Sequence, residues 1–186
     1  MDKITYFKNP GPDNTGKVLR LVKQHAVECG IKTIAIASTR GETALKAMEV
    51  LKGFRVIFVS HTAGFKEAGK DEFNQEIREM VEAMGAIVLT TTHAFGGLSR
   101  AMRQKWEMPG LGDIVASTLR VFGEGMKVVC EIALMAADSG LVSTTEDIIS
   151  VAGTNQGADT AVVLKPVNTH RFFDLKVREI ICKPRF

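Results

Sequence analysis

Residues 38–43, with the sequence Ser-Thr-Arg-Gly-Glu-Thr, combine several groups that bind phosphate. They follow residues 33–37, an uncharged run that is typical of a strand buried on both faces. Residues 42–52 then place apolar side chains at helical spacing, so the turn offers hydroxyls, one guanidinium and the free N–H groups of a helix N-terminus. The stretch therefore predicts a phosphate or other anion site. The alternative is an ordinary strand-to-helix turn with Thr39 as the helix N-cap.

Polar residues also follow three other apolar runs that predict strands, at residues 55–60, 86–90 and 147–152. Strands alternate with helices along the chain, so the sequence predicts an α/β fold with a mainly parallel sheet. In such folds, ligands bind outside the carboxyl ends of the strands. We therefore expect a small-ligand site at that edge of the sheet. The polar ends of the four strands are residues 38–41, 60–62, 90–93 and 153–157.

Two histidines, His61 and His93, lie just past the ends of the second and third predicted strands. Three roles are compatible with these histidines: hydrogen bonding or proton transfer to a bound ring, metal binding, and structural capping. The sequence has no paired spacing such as His-x-x-x-His, so no metal site is predicted, and the other two roles stay open. His25, within a predicted helix, and His170, in a terminal loop, are assigned no role.

Residues 11–18 nearly match the phosphate-loop pattern G-x-x-x-x-G-K-[ST]. The last position is Val18, which has no hydroxyl to bind magnesium, and no long buried strand precedes the stretch. We therefore favour a helix that is capped by Asn14 or Thr15, runs to Cys29 and ends at Gly30. Its predicted inward side chains are Val18, Leu19, Val22, Ala26 and Val27.

Further helices are predicted at residues 71–84, 99–106, 113–122 and 126–137, and further strands at 160–164 and 174–182, the last as an edge strand. The irregular stretch 91–112 is interpreted either as a lid or binding loop, or as a structured excursion without function. The largely apolar helix 126–137 is expected to be buried or to face another subunit, which predicts a homo-oligomer. In helix 71–84, the predicted inward side chains are Phe73, Ile77, Met80, Val81 and Met84.

The composition is that of an ordinary folded protein, because 45% of the 186 residues are hydrophobic and 24% are charged. The length predicts a single domain over residues 1–186. A net charge of +3 is too small to indicate nucleic-acid binding. No stretch has the character of a signal core or a membrane span, and the cysteines Cys29, Cys130 and Cys182 are widely spaced. We therefore expect reduced thiols and a cytoplasmic location.

The order of predicted elements resembles the C-terminal domain of pyruvate kinase. The likeness rests on the strand, turn and helix around residues 38–43 and on a late strand in residues 159–166, Asp-Thr-Ala-Val-Val-Leu-Lys-Pro. Residues 14–15, 93–96 and 176–179 extend it to a small family of stand-alone proteins with that fold, mostly archaeal and functionally uncharacterised. The resemblance covers nearly the whole chain. It implies a three-layer α/β/α sandwich with a mainly parallel sheet and one late antiparallel strand.

The resemblance also implies a ligand. In pyruvate kinase the matching turn holds a phosphate of a sugar-phosphate activator, and in the stand-alone family the implied ligand is flavin mononucleotide (FMN). The Glu42 carboxylate opposes an anion unless it points away or binds the ribityl hydroxyls. The residues implied around the phosphate are Ser38, Thr39, Arg40, Gly41, Glu42 and Thr43. Those implied around the flavin ring are His61, Thr62, Gly64, Thr91, Thr92, His93, Gly153, Thr154 and Asn155, with Phe65, Phe95 or Trp106 covering its faces.

Two functions are compatible with this ligand. The first is a flavin-dependent oxidoreductase whose substrate lies under residues 91–112. The second is a non-catalytic binding or regulatory module for a phosphorylated ligand, similar to the effector domain of pyruvate kinase. The catalytic barrel of pyruvate kinase is not in this sequence, so kinase activity is not expected. No constellation of acid, base or nucleophile in the sequence favours turnover, so catalysis stays open.

Overall fold

Seven strands form the central sheet of the computed structural model, which describes residues 3–185. The strand order is β1-β7-β6-β5-β2-β3-β4. Only β6 runs antiparallel to its neighbours among these strands, so the predicted mainly parallel sheet with one late antiparallel strand is confirmed. The strands are β1 (Thr5–Phe7), β2 (Thr33–Ala37), β3 (Arg55–Val59), β4 (Ile87–Leu89), β5 (Ile148–Ala152), β6 (Thr160–Lys165) and β7 (Lys176–Pro184).

Helices cover both faces of the sheet, which gives the three-layer α/β/α sandwich predicted from the sequence. The helices α1, α2 and α3 pack on one face, whereas α6 packs on the other, with α5 and α4 beside it. Short 3₁₀ helices occur at Pro12–Asn14 and, with a kink at Arg171, at Thr169–Asp174. The helices are α1 (Thr15–Cys29), α2 (Glu42–Val50), α3 (Gln75–Ala83), α4 (Gly97–Trp106), α5 (Leu111–Arg120) and α6 (Glu124–Asp138).

Strand β2 contributes side chains to both hydrophobic cores, which lie on opposite faces of the sheet. Successive side chains of a strand point to opposite faces, so Ile34 and Ile36 enter the core under α1 and α2, whereas Ala35 enters the core under α6. The parallel register pairs Ala37 with Val59 of β3 and Ile36 with Val151 of β5. The carboxyl ends of these three strands are therefore level, and the residues that follow them meet at one edge.

The predicted helix 71–84 begins later than expected. Asn74 is the N-cap of α3, and its Oδ1 accepts a hydrogen bond from the Ile77 N–H at 3.0 Å. Asp71 also has a cap-forming side chain, but it accepts from the Phe73 N–H at 2.9 Å and so forms a separate turn before the helix. The bounds of α2, α4, α5 and α6 differ from prediction by two residues at one or both ends.

Three side chains that were predicted to point inward do not. Val27 is 67% exposed because it lies beside the buried stripe of α1, which ends at His25 and Ala26. Met80 is 48% exposed and Met84 is 51% exposed. Helix α3 covers only the short edge strand β4, so it buries fewer side chains than its length allows.

The last strand is not the edge strand that the sequence predicts. β1 pairs in parallel with the end of β7, from Cys182 to Pro184, and so forms the outer edge among the described strands. β6 pairs with β7 from Lys176 to Cys182, so of these residues only Cys182 has a partner strand on both sides. The first half of β7, Lys176 to Glu179, is exposed, which explains the polar alternation that suggested an edge.

Helix α6 is covered within the monomer. Eleven residues of this helix are buried between the sheet and α5, among them Ala133, Leu134 and Ala136. Its apolar sequence therefore needs no partner subunit, and the argument that led from this helix to a homo-oligomer is wrong. Within residues 3–185, no helix is both long and apolar enough to cross a membrane.

Candidate functional site

A cavity of about 770 Å³ opens at the level carboxyl ends of β2, β3 and β5. We call it the rim cavity. Its walls come from the residues after these strands, from the start of α2, from one side of α6 and from Arg100 of α4. The 91–112 stretch thus contributes one cation to the cavity, through the helix that it contains.

Most of the residues singled out in the sequence line this cavity, but not all. Gly41 shapes the turn without lining the space. Of the aromatic residues, Phe65 lines the cavity, Phe95 is buried in the core under α6, and Trp106 is 62% exposed. The predicted residues that line the cavity are Ser38, Thr39, Arg40, Glu42, Thr43, His61, His93, Gly153, Thr154 and Asn155. Thr62, Gly64, Thr91 and Thr92 are not in its lining.

Two hydroxyls in the rim cavity are buried without a hydrogen-bond partner. They are Oγ of Ser38, after β2, and Oγ1 of Thr154, after β5. A buried hydroxyl that lacks a partner costs about 1–3 kcal/mol, and such groups are rare in folded proteins. Among the described residues nothing satisfies either oxygen, so both are available to a ligand with acceptor or donor oxygens.

The turn before α2 is held rigidly. Gly41, not Thr39, is the helix N-cap, so the alternative with Thr39 as cap is wrong. Gly41 has φ +107°, and a Cβ on it would lie 2.6 Å from Cγ2 of Ile77 in α3. The Arg40 carbonyl accepts a hydrogen bond from the Asn74 N–H at 3.2 Å. Packing against α3 therefore fixes the N-terminus of α2, where free N–H groups face the cavity.

The loop after β5 forms the opposite wall and is also anchored. Oδ2 of the fully buried Asp159 accepts hydrogen bonds from the Thr154 N–H at 3.0 Å and from the Gly11 N–H at 2.9 Å. Oγ1 of Thr15 accepts from the Ala158 N–H at 3.0 Å. A Cβ on Gly153 would lie 2.4 Å from the Gly157 carbonyl oxygen, so the loop folds tightly on itself. Both walls of the rim cavity are therefore preformed in the ligand-free protein.

Positive charge predominates in the lining. Within the described chain, Lys127 pairs with Glu131, Arg120 with Glu124, and Lys66 with Glu72. Arg40, Lys46 and Arg100 also line the cavity and form no ion pair with residues 3–185. Arg100 instead lies over the Phe65 ring, 3.8 Å from its centroid. These three cations suit an anionic ligand. Glu42 is the one lining carboxylate that forms no ion pair with residues 3–185.

His61 connects the 38–43 turn to a carboxylate. Its Nδ1 lies 2.9 Å from Oε2 of Glu72, and its Nε2 lies 3.3 Å from Oγ1 of Thr39. The Glu72 side chain is only 12% exposed; burial opposes its charged form, but the hydrogen bonds from His61 and Lys66 lower the pKa of Glu72 below its usual value. A carboxylate that orients an imidazole against a hydroxyl is the arrangement of a general base.

His93 completes an aromatic cluster on the same side of the cavity. Its ring centroid is 5.2 Å from those of His61 and Phe65. Burial lowers the pKa of His93 to about 4. The positive charges of Lys127 and Arg100 also lower this pKa, whereas the Glu131 carboxylate raises it. His93 is therefore neutral at physiological pH and can both donate and accept a hydrogen bond.

Sequence reasoning missed several functional side chains. Lys127 and Glu131 form a polar stripe with Glu124 on the otherwise apolar α6, and that i, i+3, i+7 spacing was a usable signal. Lys46 lies one turn along α2 from Glu42, on the same helix face, and was detectable in the same way. Glu72 offered no signal, because only the fold brings it to His61.

The chain is similar to one family of known proteins and, more distantly, to solved structures. The family described as "Pyruvate kinase, alpha/beta domain" matches residues 16–164. A Cryptosporidium parvum pyruvate kinase in complex with ADP is 14% identical, with a TM-score of 0.41 over 86% of this chain and 24% of that chain. A second C. parvum pyruvate kinase structure is 12% identical, with a TM-score of 0.43 over 85% and 24%.

The chain thus spans about a quarter of the pyruvate kinases that it matches. The family match covers most of the sequence, including β2 with its 38–43 turn, the loop after β5 and the antiparallel β6. These elements carry the likeness to the pyruvate kinase domain, whereas residues 14–15 and 176–179, on which the likeness to the stand-alone family also rests, lie outside the match. The chain belongs to the family of the pyruvate kinase alpha/beta domain.

Proposed function

We propose that the rim cavity binds a phosphorylated small molecule, most specifically FMN. The observation that carries the proposal is the pair of buried hydroxyls, Ser38 Oγ and Thr154 Oγ1, which have no partner among residues 3–185. They lie on opposite walls of one cavity, next to a helix N-terminus and the unpaired cations Arg40 and Lys46. Phosphate oxygens accept hydrogen bonds from hydroxyls, helix N–H groups and cations of this kind.

The remaining lining suits a flavin nucleotide. Arg40, Lys46 and the N–H groups of α2 would hold the phosphate. Phe65 and the neutral His93 offer apolar and hydrogen-bonding contact to a flat ring, and Asn155 offers a further polar group from the opposite wall. When bound, FMN supplies electron-transfer chemistry that the side chains do not. FMN itself is suggested by the family resemblance, whereas the phosphate is argued from the residues.

Titration of the flavin-free protein with three ligands tests the proposal. We expect FMN to bind one to one, with a change in its visible absorbance and fluorescence, and the protein as isolated to be yellow if the flavin is retained. Riboflavin, which lacks the phosphate, should bind more weakly by about 1.5–3 kcal/mol, the value of a charged hydrogen bond. A sugar phosphate serves as the third ligand.

The outcomes test two points separately: whether the cavity binds a phosphorylated ligand, and whether that ligand is FMN. Equal affinity for riboflavin and FMN would contradict a phosphate site at the 38–43 turn. Binding of the sugar phosphate without binding of FMN would retain the site but exclude the flavin. If none of the three binds, the proposed function is wrong.

A second candidate function is turnover of the bound ligand. The specific observation in its favour is the hydrogen-bonded series Glu72–His61–Thr39, with distances of 2.9 Å and 3.3 Å. It places an oriented imidazole in the cavity wall, ready to take a proton from a ligand or from the Thr39 hydroxyl. This arrangement favours an enzyme, such as a flavin-dependent oxidoreductase, over a binding module.

Anaerobic reduction of the FMN complex by NADH and NADPH distinguishes the two. Rapid loss of the flavin absorbance is expected for an enzyme that accepts hydride from a nicotinamide. Hydride transfer needs no proton acceptor, so Glu72→Gln should bind FMN and be reduced as the wild type is, and should slow only a later step in which His61 takes a proton. Glu72 is suited to this comparison because it contacts His61 and does not line the cavity. If no nicotinamide donor reduces the complex, the chain is a binding or regulatory module. A cytoplasmic location remains a prediction under either function.

A further inference from the structure

A second cluster of side chains, outside the rim cavity, has the composition of a metal site. His25 and Cys29 lie one turn apart at the end of α1, and Glu179 lies on β7. Nε2 of His25 is 2.9 Å from Oε2 of Glu179 and 3.5 Å from Sγ of Cys29. All three atoms lie within 4.8 Å of one another. One nitrogen, one sulfur and one carboxylate oxygen thus converge on a single point.

The nitrogen–sulfur distance fits a tetrahedral ion, whereas His25 Nε2 and Glu179 Oε2, now 2.9 Å apart, would have to separate to about 3.3 Å. With bond lengths of about 2.0 Å to nitrogen and about 2.3 Å to sulfur, a tetrahedral Zn²⁺ holds these two ligands about 3.5 Å apart. That value equals the separation of His25 Nε2 and Cys29 Sγ. We propose that His25, Cys29 and Glu179 form a binding site for Zn²⁺ or a related divalent transition metal.

The ligand set is chemically suited to zinc. Thiolate, imidazole and carboxylate are the three side-chain ligands that Zn²⁺ takes in proteins, whereas Ca²⁺ and Mg²⁺ take oxygen. The thiolate and the carboxylate together neutralise the divalent charge. On binding, the Cys29 thiol releases its proton to water and His25 carries its remaining proton on Nδ1, so that Nε2 is a free ligand.

The simplest competing explanation is an ordinary ion pair between His25 and Glu179. It accounts for two of the groups and does not involve the thiol, which the helix places beside His25 because residues four apart are neighbours on a helix. His25 is fixed for coordination, because its side chain is 9% exposed and lies in the packed last turns of α1. The Glu179 side chain is 51% exposed, so it can adjust its distance to an incoming ion.

Three protein ligands leave one coordination position open for water or an exchangeable ligand. His25 and Glu179 also line a groove of about 940 Å³ between α1, α5 and the first half of β7. This groove and the rim cavity share no lining residue. The metal site therefore stands on observations independent of the proposed flavin or phosphate site.

Zinc binding to the tag-free, chelator-treated full chain tests the inference. In competition with a chromophoric chelator, we expect one Zn²⁺ per chain. The exposed ligands give the cleanest variants, and Cys29→Ser and Glu179→Gln should each weaken binding by more than the roughly 10- to 100-fold that loss of an outer-shell partner costs. Glu28→Gln is the matched control, because Glu28 is next to Cys29 in sequence and bonds to Gln24 instead. It should bind zinc as the wild type does.

Cobalt substitution reports the ligands directly. We expect the Co²⁺ form to show the intense visible bands of a tetrahedral site and a thiolate-to-cobalt charge-transfer band. That band should be lost in Cys29→Ser and retained in Glu28→Gln. Circular dichroism of each variant establishes that it folds. Absence of stoichiometric zinc binding, or zinc binding that is the same in Cys29→Ser, Glu179→Gln and the wild type, would overturn the inference.

Discussion

At the scale of single residues, the two unpaired hydroxyls make the sharpest prediction. Ser38→Ala removes a buried oxygen that has no partner, so the free energy of unfolding of the ligand-free protein should stay the same or rise. The same change should weaken binding of the phosphorylated ligand, because it removes a donor. Urea unfolding and ligand titration measure the two effects separately.

The matched control for Ser38→Ala is Ser150→Ala. Ser150 is fully buried, and its Oγ donates to the Val129 carbonyl at 2.8 Å. Its removal should lower the free energy of unfolding by about 1 kcal/mol and leave ligand affinity unchanged. If Ser38→Ala destabilised the free protein as much as Ser150→Ala does, its hydroxyl would have a partner in the folded chain.

Arg40 is the cation closest in sequence to the proposed phosphate. Arg40→Ala should weaken binding of a phosphorylated ligand by about 1.5–3 kcal/mol, the value of a charged hydrogen bond. Arg171→Ala is the control, because Arg171 is exposed and pairs with Asp174 away from the cavity. Unchanged affinity in Arg40→Ala would remove Arg40 from the site.

His93 makes stability depend on pH. Burial holds its pKa at about 4, whereas the imidazole of the unfolded chain has its ordinary value of 6.5. Between these values the unfolded state binds more protons, so the free energy of unfolding should fall as pH drops from 6.5 towards 4. His93→Gln should reduce that slope, measured by urea unfolding across the window, and His170→Gln should not. Equal slopes in all three proteins would contradict the burial of a neutral His93.

At the scale of elements, the contact between α2 and α3 decides whether the 38–43 turn keeps its shape. Gly41→Ala places a Cβ 2.6 Å from Cγ2 of Ile77 and strains a backbone with φ +107°. Gly53→Ala is the control, because Gly53 also has positive φ (+88°) but open space around its Cβ. Gly53→Ala should cost about 1–3 kcal/mol from backbone strain alone.

Gly41→Ala should cost more than Gly53→Ala and should also weaken ligand binding, because it displaces the start of α2. Adding Ile77→Ala removes Cγ2 and Cδ1 of Ile77, two of the three atoms that the new Cβ meets, so ligand affinity should partly recover in the double variant. Thermal unfolding and ligand titration of the three variants check this. Equal losses in Gly41→Ala and Gly53→Ala would show that α3 does not fix the turn.

The elements also show what the sequence could and could not predict. The 33–43 strand and turn were predictable because both lie in one contiguous stretch with its own periodicity. The start of α3 was not, because Asp71 and Asn74 are both cap-forming residues and the local sequence does not rank them. The His61–Glu72 contact and the contact of Glu179 with His25 depend on tertiary packing. No characteristic residue spacing in the sequence indicates either contact.

At the scale of the whole molecule, self-association stays a prediction, but its surface differs from the one first expected. Helix α6 is buried in the monomer, whereas α4, α5 and their connections expose a group of large apolar side chains. Where such side chains form a continuous patch, they mark an interaction site. The exposed residues are Leu98, Trp106, Met108, Leu111, Ile114, Val121 and Phe122.

Light scattering after size exclusion tests this surface. We expect the wild type to form an oligomer and the double variant Leu111→Glu with Ile114→Glu to be a monomer at the same concentration. Met80→Glu with Met84→Glu is the control, since these methionines are about as exposed but lie on α3. A wild type that stays monomeric at every concentration tested would end the prediction of self-association.

The Asp159 carboxylate couples the opening of two segments of the chain, those that contain Gly11 and Thr154. One of its oxygens holds the amide hydrogens of both Gly11 and Thr154, and the residue is wholly buried. Neither amide hydrogen can exchange with deuterium from solvent until its hydrogen bond to that oxygen breaks. In a hydrogen-exchange experiment the two amides should therefore open as one cooperative unit, although they belong to opposite ends of the polypeptide.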